Sequence, residues 1–93
     1  MTPINAIIIT EEKDTLLILK KFEEENFMII KIIGDADSIT EGIAIIKSKK
    51  PDVIFLDFLF KDDLFFEMLK QLEFSIPKLV FISAHENIAV KAF

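Results

Sequence analysis

The chain alternates between two hydrophobic rhythms. Ile4 to Ile9 (INAIII) is a mostly apolar run rich in β-branched residues, bounded by Pro3 and by the polar Thr10-Glu11-Glu12. Such a run reads as a strand buried on both faces. From Asp14 the spacing lengthens. Leu16, Leu19 and Phe22 recur at helical intervals, with Lys20, Lys21 and Glu23 to Glu25 opposite them, which predicts an amphipathic helix with Asp14 or Thr15 as its cap. The cycle then repeats. Met28 to Ile33 (MIIKII) reads as a second strand closed by Gly34. Ser38 and Glu41 have the spacing of a capping box, Ile39, Ile43 and Ile46 follow at helical intervals, and Pro51 stops that helix. Val53 to Phe58 is a third strand. Leu64 to Leu72 is a third helix, with Asp62 or Asp63 before it and Pro77 after it. Leu79 to Ile82 (LVFI) is a fourth strand, and Ser83 to Phe93 opens a fourth helix.

Strands that are continuous apolar runs, each followed by a helix, define a parallel sheet covered on both faces. With right-handed crossovers the expected fold is a flavodoxin-like α/β domain of strand order 2-1-3-4. Ninety-three residues make one small domain, taken here as 1–93. A content of 52% hydrophobic and 29% charged residues suits a packed globule, and the aromatic bulk is ten Phe with no Tyr or Trp. The net charge of −5 argues against a nucleic-acid backbone as partner, which calls for a basic face. There is no cysteine, so disulfides and thiolate metal sites are excluded. No apolar run approaches the roughly 20 residues that span a bilayer, and no signal peptide is visible. A cytoplasmic location without a membrane partner is the resulting expectation.

Open parallel sheets place their sites beyond the carboxyl ends of the strands, where the strand order reverses. Strand one runs into Thr10, Glu11 and Glu12, strand three into Asp57, and strand four into Ser83. Carboxylates gathered at one edge repel, so they raise a pKa or hold a cation. Mg²⁺ suits them, because it commonly takes one or two carboxylates and keeps several waters. An aspartate beside such an ion can act as a nucleophile toward phosphorus, and the Ser83 hydroxyl can hydrogen-bond an added phosphoryl oxygen. Glycine-rich nucleotide loops are missing, with only Gly34 and Gly42 in the chain, so a flavin or dinucleotide site is not expected. Each residue also has a plainer reading. Asp57 starts a loop, Glu11 and Glu12 are solvated first-turn residues favoured by the helix dipole, and Ser83 is only an N-cap. His85 has no partner His or Cys and reads as a surface residue.

Two stretches carry a resemblance. KPDVIFLDF (Lys50 to Phe58) is similar to the Lys-Pro-Asp-Val-(Val/Ile)-Phe-Leu-Asp segment of response regulator receiver domains. FISAHENIAVKAF (Phe81 to Phe93) resembles the Thr-Ala-Tyr-(Asp/Glu)-x-x-Ala-Val-(Lys/Glu)-Ala-Phe run of the LytR/AlgR-type subfamily, and Gly34-Asp35-Ala36 matches its Gly-Glu-Ala. The resemblance covers essentially the whole chain. It implies a non-enzymatic two-component signalling domain, phosphorylated by a sensor histidine kinase with Mg²⁺. Asp57 is then the phospho-acceptor, Ser83 the switch hydroxyl, and Glu11, Glu12 and Asp57 the metal ligands. The acidic pair falls on Thr10 and Glu11 if strand one is the guide, and on Glu11 and Glu12 if residues are counted back from Asp57.

The departures support an alternative reading as a degenerate, non-phosphorylated interaction module. The family usually shows Asp-Asp or Asp-Glu at the acidic pair. After Asp57 its Met-Pro-Gly turn is replaced, with Lys61 in place of the Pro and Phe65 in place of the Gly before Phe66. A full receiver continues to a fifth strand bearing a phosphate-binding Lys, then a fifth helix. This chain is read as truncated before that last β-α unit, which leaves the edge of strand four exposed for self-association. A metal-dependent phosphohydrolase is disfavoured, since no general acid or phosphate-binding cation stands near the site.

Overall fold

The computed structural model describes residues 2–57, 70, 78–83 and 89–92, and gives only the backbone of 81, 83 and 89–92. The described elements are β1 (Ile4–Ile9), α1 (Lys13–Glu25), β2 (Ile30–Ala36), α2 (Ile39–Lys49), β3 (Val53–Asp57), β4 (Lys78–Ser83) and β5 (Ala89–Ala92). They form one sheet of order β2-β1-β3-β4-β5. The β1–β2, β1–β3 and β3–β4 pairs are parallel, so the expected 2-1-3-4 arrangement is present, with one antiparallel strand added at its end. The expected third helix lies outside the described residues, except for Lys70, which is helical.

Strand alternation sends the core to both faces. Ile7, Ile9, Ile54 and Leu56 pack with Ile43 and Ile46 of α2. Ile8 packs on the other face with Leu19 of α1, and with Val80 and Ile82. Ala6 to Ile9 are fully buried, as an apolar run in a doubly covered central strand requires.

The two helices end differently. Ser38 caps α2 by accepting a hydrogen bond from the Glu41 backbone N–H at 3.2 Å. At its other end Lys50 adopts a left-handed conformation with φ 48°. Pro51 accounts for that stop, because a residue before proline is disfavoured in the right-handed helical region. The N-cap position of α1 is Glu12, not Asp14 or Thr15, and no side chain caps it. Leu16 is half-buried and Leu19 buried as expected, but Phe22 is 48% exposed. Thr15 takes a core position in its place.

Strand β2 starts later than the apolar run MIIKII suggests. Asn26 accepts backbone hydrogen bonds from Ile29 at 2.9 Å and Ile30 at 3.1 Å, a turn that holds Met28 and Ile29 outside the sheet, where both are exposed. The strand then continues through Gly34 to Ala36, with a bulge opposite Ala6 and Ile7. A Cβ at Gly34 would sit 3.3 Å from Cγ2 of Ile45, a contact tight enough that the isoleucine would have to shift. Side chains engage the backbone at this bulge. Glu23 accepts from the Ile32 N–H, and Lys49 Nζ donates to the Ile33 carbonyl at 2.6 Å.

The C-terminal expectation is corrected. Ser83 ends β4 instead of opening a helix, and residues 89–92 form β5, antiparallel to β4 with Val80 opposite Ala92 and Ser83 opposite Ala89. An unpaired strand edge presents a row of backbone donors and acceptors. The chain folds back to satisfy them, and four residues of mixed propensity follow the edge into strand geometry. The bare β4 edge inferred from the sequence is therefore occupied over Val80–Ser83, and self-association through it loses its basis.

Candidate functional site

Parallel pairing fixes what meets at the carboxyl edge. Ile9 lies opposite Leu56, so the next level sets Thr10 against Asp57. Alternation along each strand puts both on the α1 face, in line with Ile8 and Phe55. The Thr10 hydroxyl donates to Asp57 Oδ2 at 2.8 Å, across 47 positions of sequence. Thr10 is itself held twice. Its backbone N–H donates to the Ala36 carbonyl at 2.9 Å, and its Oγ1 accepts from the Glu12 N–H at 3.0 Å. The pair is withdrawn from solvent, with Asp57 3% and Thr10 6% exposed.

Glu11 and Glu12 follow directly and are exposed. Of the two registers left open by the sequence, the strand-based one places Thr10 and Glu11 at the end of β1. They border a recess of about 260 Å³ whose far wall carries Asp35, Asp37 and Glu41. Asp35 was missed by reading strand two as closed by Gly34, since the extension to Ala36 carries it to the same edge. Asp35 faces Lys20 at 3.5 Å, both half exposed.

Asp57 pairs with Ile82, which sets the backbone of Ser83 one residue further out on the neighbouring strand. The side chain of Ser83, residues 58–69 and His85 lie outside what is described. Among the described residues, no three of His, Cys, Asp and Glu gather to share a metal ion. The donor chemistry still suits a hard divalent cation. Mg²⁺ needs only one or two carboxylates with waters completing the shell, so these residues fit a sparsely held ion, not an all-protein cage.

A doubly wound α/β sheet with a buried aspartate at its switch point defines the class of domain. No family model matches the chain, but curated relatives do. The sensory transduction protein LytT of Bacillus anthracis is 34% identical over 76 residues, covering 78% of this chain and 30% of that protein. An uncharacterized response regulatory protein of Vibrio cholerae is 32% identical over 91 residues, covering 97% and 38%. The transcriptional regulatory protein BtsR of Escherichia coli K12 is likewise 32% identical over 91 residues, covering 97% and 38%. Among solved structures, a mutant of the anti-anti-sigma factor PhyR from Bartonella quintana has a TM-score of 0.70 at 21% identity, covering 88% of this chain and 34% of that one. That last likeness concerns the fold alone. The chain belongs to the receiver domains of response regulators, and it spans roughly a third of the length of the curated relatives it matches. No helix among the described residues is long and apolar enough to cross a membrane.

Proposed function

We propose that this receiver domain accepts a phosphoryl group on Asp57 from a sensor histidine kinase in the cytoplasm. The observation that carries the reading is the place of Asp57, at the carboxyl end of β3 beside the switch point and oriented by a hydrogen bond from Thr10. A carboxylate oxygen of Asp57 attacks the phosphorus of a phosphohistidine. The P–O bond forms as the P–N bond breaks, and the bonding pair stays on the imidazole nitrogen. Ser83, one residue beyond the Asp57 level on β4, is the hydroxyl that would follow the new phosphoryl oxygens and bias the surrounding surface. Glu11, Glu12 and Asp57 are the residues that would hold Mg²⁺. When bound, the ion neutralises charge developing on the phosphoryl oxygens.

The test is incubation of the folded chain with a small phosphodonor and Mg²⁺, followed by intact mass. One phosphoryl adduct is expected, and it should be lost in Asp57→Asn. A folded protein that stays unmodified across a wide Mg²⁺ range overturns the reading.

A second reading, a non-phosphorylated interaction module derived from a receiver, is favoured by one observation. The side chain level with Asp57 is a neutral hydroxyl already bonded to it. This reading expects no adduct, and no change in the fold or in the Asp57 environment on adding phosphodonor and Mg²⁺.

A further inference from the structure

We propose that Thr10 sets the divalent-cation affinity of this edge low, as a positioning residue acting through Asp57. The proposal deepens the phosphoryl-acceptor reading by assigning the determinant of its metal dependence. A threonine hydroxyl has one proton and two lone pairs. Here the proton is directed at Asp57 Oδ2 at 2.8 Å, and a lone pair receives the Glu12 N–H at 3.0 Å. The backbone of Thr10 is tied separately to Ala36. The proton and one of the two lone pairs are thus committed inside a buried pair, so rotating the hydroxyl toward an ion would break its bond to the carboxylate.

Two consequences follow for a cation. At Asp57 Oδ2 it competes with the Thr10 proton, which already occupies a lone pair there. It also finds no charge at position 10, whereas a carboxylate there would add a full negative charge within a few ångströms of Asp57. The exposed Glu11 and Glu12 supply charge from the solvent side, where water screens it.

The test measures Mn²⁺ binding to the full chain by water-proton relaxation, with Mg²⁺ competition, and needs no phosphodonor. Thr10→Ser keeps the hydroxyl and should bind Mn²⁺ as the parent does. Thr10→Val removes the competing proton at nearly the same volume and should tighten binding severalfold. Thr10→Asp adds the missing charge and should tighten it at least tenfold. A purely structural threonine would instead lower the unfolding midpoint in Thr10→Val and leave Mn²⁺ affinity where it was. Unchanged affinity in a folded Thr10→Val, or a folded Thr10→Asp that binds no better than the parent, overturns the proposal. If Thr10→Asp does not fold, the Val and Ser pair decides. Failure of Asp57 to take up a phosphoryl group would overturn the proposed function without touching this result, so the two ideas fail separately.

Discussion

On the α2 side of the sheet, eight buried apolar side chains among the described residues form one cluster, and Ile33, Ile39 and Ile45 pack around its rim. The covering helix has a side-chain cap at its start and Lys47 and Lys49 in its last turn, complementing the helix dipole. On the α1 side the cluster among the described residues has four. Its helix has no side-chain cap and carries Glu23 to Glu25 in its last turn, against the dipole. It also leaves Leu17, Ile18 and Phe22 exposed and buries a Thr15 hydroxyl that has no hydrogen-bond partner. Thr10 and Asp57 stand on this second face. The contrast separates a scaffold side from a working side. Elements that must respond to a ligand are drawn from the less stable part of a domain.

The sharpest way to break that comparison is a pair of truncations read by urea unfolding. Ile46→Ala on the α2 face should cost about 3 to 5 kcal/mol, because a fully buried side chain leaves a cavity among other buried isoleucines. Leu19→Ala on the α1 face should cost about 2 kcal/mol, since a half-covered helix can settle into the space. Equal losses would show that both faces are packed to one standard.

A smaller effect tests the caps. Ser38→Ala should cost about 1 kcal/mol and shift the urea midpoint without changing the slope, because it removes the acceptor for the Glu41 N–H. No loss would mean that α2 owes its stability to burial alone. The smallest effect has the opposite sign. Thr15→Val keeps the volume and removes the unpartnered buried hydroxyl, so it should stabilise by about 0.5 to 1 kcal/mol. A loss of stability there would show that the hydroxyl has a partner that matters.

Most of the frame was legible from periodicity. Continuous apolar runs, Ser38 with Glu41, and Pro51 gave strand, cap and stop where the structure has them. Strand β2 was misplaced because an apolar run marks what can be buried, not where a turn lets the chain enter the sheet. Asn26 made that decision. Phe22 was misassigned for a related reason. Helical spacing defines a stripe, and α1 presents Thr15 and Leu19 to the sheet instead.

At the site, local pattern was enough to show that an acid closes β3 and that acids and a hydroxyl follow β1. Those are local facts about which residues stop an apolar run. Which of Thr10, Glu11 and Glu12 meets Asp57 depends on the register between strands 47 residues apart, and a one-residue slip would change the answer. The same holds at the far edge, where Ala89–Ala92 became a strand because β4 offered unpaired backbone groups beside it. Backbone pairing is a property of two segments together, so it took the folded chain to bring a threonine from the end of β1, and not a glutamate, into a hydrogen bond with Asp57.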